Sequence, residues 1–311
     1  MRKISILAAA AALAASLLAI PAQAAPQDSH PVRSAGCGTA SAIEPGTSQS
    51  ISLESGGLQR TAVLSIPEGY TGAEAEPLIL AFHGRGSTGE LTREFSGLDQ
   101  LPAITVFPDG IATDGKQSWQ GAPYAAQGLD DVQFTNDLLD RVEQDYCVNT
   151  RRIFATGKSN GGGFTALLAC KAADRIAAFA PVAGAYYPGT DEDCDGAAAP
   201  IIEFHGTGDA TMKYNGGESH GAVYPSVPSW LDMWAQRNGC ESSSTKQFSS
   251  DTTRTSWRQC DLGNDLVHLA IADGGHTWPG QLAYSGGGYA TSAFNASDVM
   301  FKFFTSHPLN R

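Results

Sequence analysis

Residues 157–161 read Gly-Lys-Ser-Asn-Gly, and their setting constrains the fold more than any other stretch of the chain. The strand-like run RIFAT precedes them and the helical segment GGGFTALLAC follows. A serine at a strand–turn–helix junction between glycines has the layout of a nucleophile elbow. The turn is tight and holds the serine backbone in a strained state, so its neighbours must be small. Ser159 is the expected nucleophile, with Gly157 and Gly161 as its flanks.

The rest of the chain supplies the alternation that such an elbow needs. Residues 59–67 alternate with β-branched side chains. Short apolar runs follow at 77–82, 103–107, 152–156, 178–183, 200–204 and 266–271. Helical periodicity appears at 130–146, 160–171, 228–238 and 296–304, and in the first of these Phe134, Leu138 and Val142 repeat at four-residue spacing. Buried strands alternating with helices predict a mostly parallel sheet with helices on both faces, and with the elbow this is the α/β-hydrolase fold.

A serine hydroxyl is a weak nucleophile and needs a base, itself oriented by an acid. In this fold the chain order is serine, acid, histidine. His276, in Asp273-Gly-Gly-His-Thr-Trp-Pro beyond the strand LVHLAI, is the expected base. Asp209, in His205-Gly-Thr-Gly-Asp after the strand PIIEF, is the expected acid. The rivals are His205, His268 and His220 for the base, and Asp265 and Asp273 for the acid. The oxyanion formed on attack needs two preset N–H donors. One is expected from Asn160, the other from Arg85 in His83-Gly-Arg-Gly-Ser, with Gly84 and Gly86 as its neighbours. Trp119, Gln120 and Trp278 lie in loops and are read as substrate contacts, the tryptophans stacking on a ring, against the alternative of local packing.

Residues 1–24 (MRKISILAAAAALAASLLAIPAQA) have a basic start, an apolar run and a small-x-small end, the pattern of a cleaved export signal. Residues 25–48 read as an extended arm and 49–311 as a single catalytic domain. Six cysteines in an exported chain imply three disulfides. Sequence proximity favours Cys240–Cys260 and Cys170–Cys194, leaving Cys37–Cys147. No CxxC spacing points to zinc, and neither metal nor organic cofactor is expected. A formal net charge of −12 argues against nucleic acid as a partner. No membrane association is expected after signal cleavage, and a monomer is expected. Asn295-Ala-Ser297 is a glycosylation sequon that has meaning only in a eukaryotic source.

The combination LILAFHGRGS, SWQGAPY, DDVQFTNDLLD, DYCVNTRRIFATGKSNGGGFTALLAC, PIIEFHGTGDATMKYNGG and GGHTWPG resembles the feruloyl esterases related to polyhydroxybutyrate depolymerases, the fungal type-C group above all. The resemblance covers most of the mature chain. It implies an exported serine esterase that releases ferulic and related acids from feruloylated arabinoxylan or pectin, with Ser159, Asp209 and His276 as its triad. The same broad family holds acetylxylan esterases and polyhydroxybutyrate or polyester depolymerases, so fold alone does not choose the substrate. The tail is read as carrying no appended substrate-binding domain, which weighs against solid polyester. A non-catalytic wall-binding protein on the same fold is the remote alternative.

Overall fold

Alternating side chains in a run such as PLILAF point to opposite faces of a strand, and a strand apolar on both faces must be covered on both. The computed structural model, which describes residues 31–194, 196–280 and 286–309, satisfies that demand. The described residues belong to one compact unit. The expected export signal and the first part of the arm lie outside them.

The chain begins with the hairpin β1 (Ser48–Ser55) and β2 (Leu58–Ser65), then β3 (Glu76–Phe82), α1 (Gly89–Ser96) and β4 (Ile104–Pro108). A small hairpin, β5 (Ile111–Thr113) and β6 (Lys116–Ser118), leads to α2 (Asp131–Asp145), β7 (Val148–Lys158), α3 (Asn160–Lys171), β8 (Ala178–Val182) and β9 (Ile201–Gly206). A second small hairpin, β10 (Gly217–Ser219) and β11 (Ala222–Tyr224), precedes α4 (Val227–Arg237). The strands β12 (Ser242–Gln247), β13 (Thr252–Arg258) and β14 (Leu266–Ile271) and the helix α5 (Ala296–Thr305) complete the order.

Ten strands form one sheet in the order β1-β2-β4-β3-β7-β8-β9-β14-β13-β12. The six from β4 to β14 run parallel, and an antiparallel pair extends each end. Period-2 alternation divides the core. Leu78, Leu80 and Phe82 of β3 join one cluster with residues of α2, α3 and α4, while Ile79 and Ala81 join the other with residues of α1 and α5. The expected α/β-hydrolase layout, mostly parallel with helices on both faces, is the one observed.

Local chemistry sets the helix ends. Asp130 caps α2 by accepting from the Gln133 amide at 2.8 Å, which satisfies one of the donors a helix start leaves open. Asn295 caps α5 in the same way, accepting from the Ser297 amide at 2.8 Å. Three disulfides join Cys37–Cys147, Cys170–Cys194 and Cys240–Cys260. The first pins residues 31–48 of the arm beside the start of β7, where the Ser34 amide donates to the Val148 carbonyl at 2.9 Å.

Candidate active site

The centre of the sheet delivers Ser159. It stands between the end of β7 and the start of α3 with φ 57° and ψ −118°, a left-handed φ that costs a non-glycine residue of order 1–3 kcal/mol. The surrounding structure holds it there. Its amide donates to the Val182 carbonyl at 2.9 Å, and its carbonyl accepts from Gly163 and Ala185, each at 2.9 Å. A Cβ on Gly157 would strike the Gly161 carbonyl, and one on Gly161 would strike that of Phe82. The glycines are therefore demanded by the close packing of the turn against β3.

Asp209 follows β9 and is 4% exposed. One carboxylate oxygen accepts from the Thr211 amide at 2.8 Å and the Met212 amide at 2.9 Å. The other accepts from Nδ1 of His276 at 2.7 Å. Burial pushes the Asp209 carboxyl up, but bonds from His205 and His276 outweigh it and hold the group well below the usual carboxylate range. His276, just beyond β14, is held in turn by its amide donating to the Gly287 carbonyl at 2.8 Å. With Nδ1 donating to a carboxylate, the neutral imidazole keeps its lone pair on Nε2. Burial lowers the His276 pKa, the bond to Asp209 partly restores it, and the charge on Lys158 lowers it further.

Ser159 and His276 open on one cavity of about 710 Å³, lined also by Arg85, Tyr124, Tyr187 and Met212. Arg85 lies in the loop after β3, its guanidinium 4.4 Å from the centre of the Tyr124 ring. Gly84 beside it comes so near that a Cβ there would sit 3.3 Å from that of Ser159. Asn160 is locked by its side chain, which accepts from the Trp119 amide at 2.7 Å and donates to the Trp119 carbonyl at 3.2 Å. Its own N–H belongs to the first turn of α3, where donors have no intrahelical partner. The geometry thus brings together five of the predicted residues: Ser159, Asp209, His276, Arg85 and Asn160.

The other three fall elsewhere, which corrects the expectation of exposed substrate contacts. Trp119 is 0% exposed, stacks on Phe164 at 5.3 Å and donates from its indole to the His83 carbonyl at 3.0 Å. Trp278 is also 0% exposed and donates to the Ser297 hydroxyl at 3.1 Å. Gln120 is tied to Asp131, its side chain accepting from the Asp131 amide at 2.9 Å. None of the three lines the cavity. Helices α2, α3 and α5 cover these loops, so apolar rings that look available in sequence are used as core.

The rival histidines and acids separate as well. His220 lines the cavity, edge-on to Tyr124 at 4.8 Å. Asp265 faces His307 at 3.2 Å, and Asp273 occupies a left-handed turn position with φ 53°. His205 and His268 belong to a buried network behind the acid. His205 Nδ1 meets Glu203 at 3.1 Å, its Nε2 donates to the Met212 carbonyl at 2.8 Å, and that same Nε2 lies 3.5 Å from Asp209. His268 Nδ1 meets the other Glu203 oxygen at 2.6 Å, and Tyr186 donates to Glu203 at 3.0 Å. Sequence reasoning missed Glu203 and Lys158; the signal available was a charged residue inside an apolar run and beside the nucleophile. Among the described residues, Cys170, Asp191 and Cys194 form the one cluster with metal-ligand potential, and both sulfurs are taken by a disulfide.

Sheet order, elbow and the ladder from Asp209 to His276 define an α/β-hydrolase. The model of the esterase family, described as "Putative esterase", matches residues 54–278. Feruloyl esterase B of Piromyces equi is 31% identical over 234 residues, 70% of this chain and 42% of that one. The chain thus matches less than half the length of that relative. Feruloyl esterase C of Emericella nidulans is 29% identical over 261 residues, 79% of this chain and 84% of that one. In fold, the chain is similar to the acetyl xylan esterase from Aspergillus awamori, with a TM-score of 0.59, 13% identity and coverage of 83% and 99% of the two chains. The chain belongs to the esterase family, as a carboxylic ester hydrolase of the feruloyl-esterase-like superfamily.

Proposed function

We propose that the protein hydrolyses feruloyl and related hydroxycinnamoyl esters of plant cell-wall polysaccharides through an acyl-enzyme on Ser159. The observation that carries this reading is the 2.7 Å bond from His276 to Asp209 at the cavity that Ser159 also lines. The names of the related feruloyl esterases support the acyl group. His276 takes the Ser159 proton through Nε2 as the oxygen attacks the ester carbonyl. Asp209 holds the imidazole tautomer and stabilises the imidazolium. The amides of Asn160 and Arg85 receive the oxyanion. The sugar alcohol leaves with the proton from His276. Water, activated by the same base, then frees the acid and the serine.

Membership of the polyhydroxybutyrate-depolymerase-related group is part of the same proposal. So is export, a reading supported by the three disulfides, which persist in oxidising compartments. No helix among the described residues is long and apolar enough to cross a membrane.

The test is kcat/KM for methyl ferulate, a short acetyl ester and a soluble hydroxybutyrate oligomer, with wild type and Ser159→Ala. Ferulate should be preferred, and Ser159→Ala should lose at least about a thousandfold. Preference for acetyl or hydroxybutyryl esters would transfer the substrate to those classes. Near-normal turnover by Ser159→Ala would remove the nucleophile.

A further inference from the structure

Lys158 fills the variable position before the nucleophile, and nothing in the proposed reaction uses it. Its side chain is buried, with the residue only 6% exposed, yet it lines the cavity beside Ser159 and His276. The ammonium lies against Gly286, where a Cβ would come within 2.9 Å of Nζ. Among the described residues it makes neither an ion pair nor a hydrogen bond, and its Nζ is not sealed off but opens on the cavity. Asp209 is the acid whose charge reaches it, but that carboxylate is committed to His276 and to two amides.

An ammonium largely enclosed by protein loses part of its hydration even where it opens on a cavity, and a lysine kept for stability alone would be paired or replaced by an apolar chain of similar length. A charge left unsatisfied and facing a cavity is instead poised to be satisfied by what enters. Cations outnumber carboxylates in the cavity lining. Arg85 and Lys158 are its two full cations and the exposed Glu94 its one carboxylate, in a chain of formal net charge −12. The cavity lining is thus richer in positive charge than the molecule as a whole.

We propose that Lys158 recognises a carboxylate carried by the ester substrate, so that acidic esters are hydrolysed in preference to their neutral isosteres. The inference rests on Ser159 as the nucleophile of the proposed esterase and narrows its substrates to a charged class. The carboxylate belongs either to the acyl part, as in a hemiester of a dicarboxylic acid, or to the alcohol part, as in an acylated uronate. Burial holds the Lys158 pKa down to about 8, which leaves the ammonium largely charged at neutral pH and ready to gain a partner.

The experiment compares two substrate pairs, each differing only in whether one carboxyl is free or methylated. The acyl arm uses 4-nitrophenyl hemiglutarate against 4-nitrophenyl methyl glutarate. The alcohol arm uses feruloyl galacturonate against its methyl uronate. Wild type should favour the free carboxylate at least tenfold in kcat/KM in one arm, which identifies the part that carries it. Lys158→Met should bring that ratio close to one, and Lys158→Arg should keep part of it. Lys158→Met should also raise Tm, a direction a merely structural lysine would not give. A wild-type ratio of one or below in both arms, or a ratio that survives Lys158→Met, overturns the proposal. Calorimetric binding of monomethyl glutarate to Ser159→Ala separates this from the esterase reading. Lys158-dependent binding without hydrolysis by wild type would sink the esterase and keep the carboxylate site; hydrolysis without such binding or preference would do the reverse.

Discussion

His276 and His205 approach the same carboxylate, Asp209, one from the cavity and one from the interior, and their surroundings drive them in opposite directions. His276 has Asp209 as its one acid partner and Lys158 as a nearby cation, and with burial its pKa falls. His205 is still more deeply buried, which alone would lower it, but Asp209 and Glu203 flank it and push it up to about 10. Its two ring nitrogens face only acceptors, Glu203 on one side and the Met212 carbonyl and Asp209 on the other. The interior histidine is thus held toward the imidazolium form by the two carboxylates that flank it. The cavity histidine is pushed toward its neutral form, with Nε2 left to accept a proton. Residue type and burial are nearly matched; the number of acids within reach separates a structural cation from a base.

The sharpest way to break this contrast is to remove each ring. His276→Ala should cost at least about a thousandfold in kcat. His205→Gln should act mainly on stability, roughly 3 kcal/mol by denaturant unfolding, because Glu203 loses a buried partner. Equal losses of kcat from the two variants, with stability unchanged, would abolish the distinction.

The shared acid comes next. Asp209→Asn should lower kcat by about a hundredfold or more, since the amide cannot fix the Nε2 lone pair or balance the imidazolium. Asp265→Asn, at an exposed position facing His307, should stay near wild type. The reverse ranking would name a different acid.

The smallest expected effect is in the pH profile. In the proposed reaction His276 works as a base only when neutral, and its pKa lies below the ordinary 6.5. The acid limb of kcat/KM should therefore fall as pH drops through a midpoint below 6.5, with a plateau above it. A midpoint at or above 6.5 would show that Asp209 outweighs burial and Lys158.

How far these features could be read in advance follows from the range of the interactions behind them. The elbow, α3 and β14 were legible because their signals are local: flanking glycines, the apolar segment GGGFTALLAC, a run of LVHLAI. The placement of Ser159, Asp209 and His276 just beyond β7, β9 and β14 was legible because each follows a short apolar run. The edge pair β12 and β13 was not, since SSSTKQ carries no apolar alternation and is mostly exposed. Polar side chains and Lys246 suit an unpaired sheet edge, where they oppose further strand addition. Trp119 and Trp278 misled because a loop tryptophan looks the same whether or not a helix later packs over it. The Glu203 network was hidden for a similar reason. Its partner His268 lies opposite it in the β9–β14 register, a pairing that forms only when the sheet assembles.

The cystine between Cys37 and Cys147 closes a separation of 110 residues, against 24 and 20 for the other two. In the chain-entropy view a loop of that length is worth roughly 4–5 kcal/mol, and a short one about 3. The long closure also spans the first four strands of the sheet, β1 to β4, and ends just before β7. Oxidative maturation should therefore run from the outside in. Each short ring needs only a local encounter of its two cysteines, whereas the long one must bring together residues 110 apart. Once closed, that ring tethers β7 at the end opposite to the turn that carries Ser159.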